Sequence, residues 1–275
     1  MTGTAPAVAL LDVQQLSKRF GGVVASAGID LRVHEGEVHA LIGPNGAGKT
    51  TLVAQLSGQI RPDRGRIVFA GNDITQLSPH ERARRGLARS FQITRLFKSF
   101  DVAENVALAL QAAGMDTAIT TAAATTTPRH PERSEGSPPP GSFASLRMTN
   151  RQGLTVQELL AEIGLADKAR ARIDALSHGE QRALEVGLAV ASRPRLVMLD
   201  EPMAGMGHDE SKRMEALIQR LRAHTTVLLI EHDVDAVFRL ADRVSVLVSG
   251  QIIASGAPEA VRRDAGVIEA YLGEE

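Results

Sequence analysis

Three short runs in this chain are apolar at nearly every position: Val38 to Ile42, Leu196 to Leu199 and Thr226 to Ile230. Continuous apolar character over so few residues predicts strands buried on both faces, as in a parallel sheet. Leu10 to Arg19 and Gly28 to Val33 instead alternate loosely, which predicts strands on either side of a turn at Phe20-Gly21-Gly22. Arg66 to Phe69 reads as a further strand, closing at Ala70-Gly71-Asn72-Asp73, and Arg243 to Val248 with Gln251 to Ala254 reads as a hairpin turning at Ser249-Gly250.

Helical spacing of apolar positions appears over 51–56 and 155–165, from Asp101 through Val102, Val106, Leu108 and Leu110, over 183–190, and through Met214, Leu217, Ile218 and Leu221. Pro258 opens a closing helix. Ser78-Pro79-His80-Glu81 has the form of an N-cap with proline in the first turn, and the helix it opens is predicted to carry Arg82, Arg84, Arg85 and Arg89 on a solvated face. Strands followed by helices make this an α/β chain.

Residues 115–150 fit none of these patterns. Thr120 to Thr127 is low in complexity, and Pro128, Pro131, Pro138, Pro139 and Pro140 exclude helix and central strand. Loops beyond about 12–15 residues are rare in compact domains unless functional or disordered. The segment is therefore read as a disordered surface insertion. Its Pro-Arg-His-Pro-Glu-Arg-Ser-Glu-Gly-Ser portion looks like translated repeat elements found inside some bacterial reading frames, with a regulatory or partner-binding loop as the alternative.

Composition narrows the function classes. The 275 residues are 43% hydrophobic, enough for one large domain or two lobes with a full core. With 31 Lys plus Arg against 32 Asp plus Glu, the chain has no basic footprint for nucleic acid. The absence of cysteine excludes disulfides and thiolate metal sites and fits a reducing cytoplasm. No run approaches the roughly 20 apolar residues of a membrane span, so a role at a membrane requires docking onto other spans.

Within this frame, Gly43-Pro44-Asn45-Gly46-Ala47-Gly48-Lys49-Thr50 lies between a predicted strand and a predicted helix beginning at Thr51. The glycines let backbone N–H groups turn inward beside a helix N-terminus, making an anion site; Lys49 is expected on the β- and γ-phosphates and the Thr50 hydroxyl on Mg²⁺. Phe20, at its turn, could stack on a purine base or pack in the core. Ser177 and the N–H of Gly179 stand at another helix start, a second potential anion site, although Ser177 with Glu180 also makes a plain capping box. Asp200-Glu201 end an apolar strand, where carboxylates are costly without a cation. Mg²⁺·nucleotide in the cradle would make Asp200 an outer-shell metal ligand and Glu201 the base polarising an attacking water. His232 ends the next core strand, where ligands bind in α/β sheets. Gln92, one amide among apolar neighbours, means little alone.

In order, GPNGAGKT at 43–50, Gln92, LSHGEQR at 176–182, LVMLDE at 196–201 and His232 resemble the motifs of ABC transporter ATP-binding subunits, over nearly all the chain outside 115–150. RSFQITRLF at 89–97, ALEVGLA after the signature, EPMAGM at 201–206 and VIEAYLGEE at 267–275 are similar to the branched-chain amino acid importer ATPases. The resemblance implies a P-loop NTPase (RecA-like) core with an antiparallel β subdomain and an inserted α-helical subdomain: core over 1–78 and 171–275, helical part over 79–170.

It also implies an ATPase using ATP and Mg²⁺. Phe20 would stack on adenine, 43–51 including Thr51 would hold the phosphates, Gln92 would link γ-phosphate and Mg²⁺ to the membrane subunits, and His232 would sense γ-phosphate and water. The implied partners are integral membrane permease subunits, a second ATPase whose ATP Ser177 and Gly179 would cap across a head-to-tail dimer, and indirectly an extracytoplasmic solute-binding protein. The implied place is the cytoplasmic face of the inner membrane. A non-transport ABC ATPase, or a weakly hydrolysing subunit beside a competent one, are the alternatives. His178, Glu180 and Gly207 depart from the usual pattern; Glu180 puts an acid near the triphosphate and Gly207 removes a contact across the interface.

Overall fold

The computed structural model describes residues 9–90, 96–113 and 154–272. Gln92 and the 115–150 insertion lie outside them. Strand β1 (Ala9–Phe20) pairs antiparallel with β2 (Val23–His34) across Gly21-Gly22. Both run beyond the alternating stretches, with register shifts along β1 that break strict alternation. Strand β3 (Val38–Ile42) is buried throughout and leads through the glycine loop into α1 (Lys49–Leu56). Strands β4 (Arg64–Phe69) and β5 (Asn72–Asp73) complete an antiparallel sheet of order β2-β1-β4-β5.

The chain continues through α2 (Pro79–Arg84), β6 (Leu87–Arg89), α3 (Val102–Ala112), α4 (Val156–Glu162), α5 (His178–Val190) and β7 (Leu196–Asp200). It ends with α6 (His208–Leu221), β8 (Thr226–Ile230), α7 (Val234–Leu240), the hairpin β9 (Arg243–Val248) and β10 (Gln251–Gly256), α8 (Pro258–Arg262) and α9 (Ala265–Leu272). Capping boxes open α2, α3, α4 and α5, pairing Ser78 with Glu81, Asp101 with Glu104, Thr155 with Glu158 and Ser177 with Glu180.

The second sheet has the order β10-β9-β3-β8-β7-β6, parallel except for the β9–β10 hairpin. Its strands sort their side chains by alternation. Val197, Leu199, Val227 and Leu229 face a core shared with α3 to α6, whereas Leu196, Met198, Leu228 and Ile230 face a core shared with the antiparallel sheet. Burial on both faces explains why these runs are continuously apolar. The hairpin turn has Ser249 and Gly250 both at positive φ, the conformation of a type I′ two-residue turn.

The predicted solvated arginine face forms only in part: Arg84 and Arg85 are exposed, whereas Arg82 and Arg89 are not. Helix α2 stops at Arg84, and Arg89 belongs to β6. Arg82 is 1% exposed and donates to the carbonyls of Gln55 and Leu56 at 2.7 Å, Thr75 at 2.9 Å and Leu77 at 3.1 Å. Residues 55 and 56 end α1, so this guanidinium satisfies the open carbonyls of the helix behind the glycine loop and complements its dipole. Burial lowers the Arg82 pKa to about 10, leaving it charged at neutral pH. Arg82→Ala is expected to destabilise the fold by about 3 kcal/mol, since it strands several buried carbonyls; the midpoint of denaturant unfolding should fall accordingly.

Candidate functional site

The glycine loop leaves the carboxyl end of β3, the edge at which open α/β sheets bind ligands. Two close approaches explain its glycines. A Cβ on Gly48, at φ +105°, would run into the Ala25 carbonyl oxygen of β2, and a Cβ on Gly43 into that of Leu247 in β9. The loop is also stitched to both neighbours: Gly250 N–H donates to Ala47 O at 2.9 Å, and Ala27 N–H to Gly250 O at 2.8 Å. Asn45, Gly46 and Thr50 are exposed, Pro44, Gly48 and Thr51 half-buried, Ala47 and Lys49 buried.

Lys49 Nζ bends back onto Gly43 O at 2.5 Å and Pro44 O at 2.9 Å. Burial lowers its pKa, and the nearby Glu201 and Asp200 carboxylates oppose that shift. Because β3, β8 and β7 run parallel, the loop and Lys49 after β3 and the carboxylates ending β7 lie at the same edge of the sheet, with β8 between them.

Asp200 is 4% exposed and its Oδ2 accepts from Arg89 Nη2 at 2.7 Å. Glu201 follows with φ 48°, a left-handed conformation rare for a side chain of this kind, and its N–H donates to Ile230 O at 2.9 Å. The sharp turn ends β7 and brings residue 201 out of the sheet. Across from it, Glu231 is fully buried and accepts from Met203 N–H at 2.9 Å and His232 N–H at 3.2 Å. One carboxylate thus ties the turn after Glu201 to the segment carrying His232, whose side chain is largely exposed.

The predicted second anion site contains an anion of the chain's own. Ser177 Oγ donates to Glu210 Oε1 at 2.9 Å, and Gly179 N–H donates to the same oxygen at 3.2 Å. These bonds hold the Glu210 carboxyl below its ordinary pKa. Ser177 caps α5 as well, closing the capping box with Glu180. Glu180 is not a loose acid: it closes the capping box and pairs with Lys168 at 3.3 Å. His178 Nε2 lies 3.4 Å from Ala204 O, bridging to the turn after β7. Gly207 precedes α6 with no side-chain cap, and a Cβ there would meet nothing within 4 Å.

Phe20 is 49% exposed at the end of β1 with Lys18 Nζ 5.5 Å from its ring centroid, so the core-packing alternative does not hold. A cleft of about 780 Å³ at the opposite ends of the strands is lined by Arg193, Arg195 and Arg222. Those arginines pair with Glu162, Glu35 and Asp242, so their charge is already met. Arg89, Glu210 and Glu231 escape sequence reasoning. The available signal for Arg89 was that a buried Asp200 needs a cation from a strand nearby.

Comparison with known proteins decides the family. A profile described as ABC transporter matches residues 27–204, and one described as branched-chain amino acid ATP-binding cassette transporter matches 251–275. The chain belongs to the ABC transporter family. This ABC ATPase is 38% identical over 270 residues to the high-affinity branched-chain amino acid transport ATP-binding protein BraF of Pseudomonas aeruginosa, covering 96% of the chain and 98% of the relative. It is 37% identical to LivG of Escherichia coli, of the same description, at the same coverage. The lipopolysaccharide export system ATP-binding protein LptB of Acidithiobacillus ferridurans is 34% identical, covering 97% and 98%. Among solved structures, the ADP conformation of MJ1267, an ATP-binding cassette of an ABC transporter, superposes with a TM-score of 0.77 at 28% identity, covering 97% of this chain and all of that one. The fold is that of a P-loop NTPase, as the motifs implied.

Burial raises the Glu231 pKa. A carboxyl whose folded pKa lies above its unfolded value binds more protons when folded, so its contribution to stability falls as pH rises from the unfolded pKa through the folded one. Glu231→Gln cannot ionise. The stability difference between this variant and the parent should therefore shift toward the variant as pH rises above the ordinary carboxyl range; thermal unfolding followed upward in pH from there checks it.

Proposed function

We propose that this ABC ATPase powers an importer of branched-chain amino acids or related amides, using Mg²⁺ with ATP. The observation that carries the reading is the convergence of the glycine loop, Lys49, Asp200 and Glu201 at one edge of the parallel sheet. The amide-lined loop and α1 N-terminus would bind the phosphates, with Lys49 leaving its carbonyls for the β- and γ-phosphates. A Mg²⁺·phosphate group fits: the Thr50 hydroxyl and Asp200 carboxylate are hard oxygen donors. Among the described residues no cluster of three or more His, Cys, Asp or Glu could hold a metal, so phosphate and water would complete the coordination. When bound, the ion supplies charge neutralisation of the phosphates.

Glu201 takes the proton of the attacking water, His232 senses the γ-phosphate, and Phe20 stacks on adenine. Gln92 links the γ-phosphate and Mg²⁺ to the permease. Ser177 and Gly179 cap the ATP of a second ATPase subunit, so each site is shared, and a solute-binding protein delivers the substrate outside. Among the described residues no helix is long and apolar enough to cross a membrane; docking on the cytoplasmic side of permease subunits supplies the spans. Closure of the ATPase pair on ATP biases the permease between its two states. The organisation into a core over 1–78 and 171–275 and a helical part over 79–170 is proposed with it.

Glu201→Gln should bind ATP as the parent does while turnover drops at least about 100-fold. Normal turnover in that variant would remove Glu201 from the role of base. Lys49→Ala should abolish ATP binding in the same assay, and purified permease–ATPase complexes in vesicles should accumulate leucine, isoleucine or valine only with ATP.

A further inference from the structure

Arg89, which pairs with Asp200, has no part in the scheme above. The Arg89 side chain is 10% exposed and that of Asp200 2%, and the donor–acceptor distance is 2.7 Å. The other terminal nitrogen, Nη1, donates to Gln59 Oε1 at 2.8 Å, and Gln59 lies just beyond α1. Next to it, Ser90 Oγ accepts from Asp200 N–H at 3.3 Å. One arginine thereby joins the end of β7, the turn that follows α1, and the end of β6. Its Nε is buried and has no acceptor among the described residues.

A pair this deeply buried is a poor device for stability alone, because desolvating both ions offsets their attraction and apolar residues would serve as well. Its value lies in geometry. The guanidinium fork has fixed donor directions, so a carboxylate held by one arm while the other is anchored has little freedom to swing. We propose that Arg89 is a positioning residue: it holds the Asp200 carboxylate, through Oδ2, in the orientation needed to meet Mg²⁺·ATP. This rests on the magnesium reading of the site.

The test uses the full chain, with ATP binding measured in chelator and across a Mg²⁺ titration, alongside the Mg²⁺ concentration that half-saturates turnover. Arg89→Ala should bind ATP in chelator as the parent does. It should lose most of the Mg²⁺-dependent gain in affinity and need at least about tenfold more Mg²⁺ for turnover. Arg89→Lys, which keeps one donor toward Asp200, should recover to within about threefold. Asp200→Asn should show the same loss, and the double variant no further loss, because residues acting through one contact are not additive.

An Arg89→Ala protein with the parent's Mg²⁺ dependence overturns the proposal, and so do effects that multiply in the double variant. If Arg89→Ala does not fold, recovery of folding when Asp200→Asn is added supports the pairing, and failure to recover contradicts it. A parent indifferent to Mg²⁺ would refute the magnesium reading and this inference with it, whereas a Mg²⁺-dependent parent beside an Arg89→Ala variant of unchanged Mg²⁺ dependence refutes the inference alone.

Discussion

A carboxylate at the end of a strand buried on both faces must find donors within the protein, because water does not reach it, and this requirement shapes the whole sheet edge. Asp200 finds Arg89, and Glu231 finds two backbone amides in Met203 and His232. Each solution reaches across to a different segment. The parallel strands β7 and β8 therefore do more than form a core: by ending in carboxyl groups they pin the turn after Glu201, the segment at His232 and Arg89 at the end of β6 around one space.

The glycine loop meets the opposite difficulty. It carries no charged side chain until Lys49, and its N–H groups must face inward without a Cβ in the way. Close approach to the Ala25 and Leu247 carbonyls leaves room only for glycine at 48 and 43. The antiparallel sheet and the β9–β10 hairpin thus set the shape of the loop, and Arg82 secures the far end of α1 from below. Removing either support would leave the motif intact in sequence and its geometry unsupported. At the N-terminus of α5, the Glu210 carboxylate occupies the Ser177 and Gly179 donors.

Much of this was legible in the residues. The apolar runs at 38–42, 196–199 and 226–230 became central strands, and Ser78, Asp101, Thr155 and Ser177 opened helices through local capping chemistry that depends on residues three positions apart. What escaped were contacts distant in sequence. Arg82 meets α1 some 26 residues away and Arg89 meets Asp200 across 111, so neither has a local signature, and both looked like surface charge. Glu231 was hidden for the same reason: its partner Met203 lies 28 residues earlier. Local rules read elements well; charge pairing in the interior is a property of the assembled sheet.

The central claim is that the loop at 43–50 exchanges its internal contacts for phosphate. The most direct measurement is a crystal structure of the full chain with Mg²⁺ and a non-hydrolysable ATP analogue. The account predicts phosphates within the loop, Lys49 Nζ withdrawn from the Gly43 and Pro44 carbonyls onto them, and Asp200 still held by Arg89. Nucleotide bound elsewhere, or Lys49 remaining on those carbonyls with the loop filled, would contradict it.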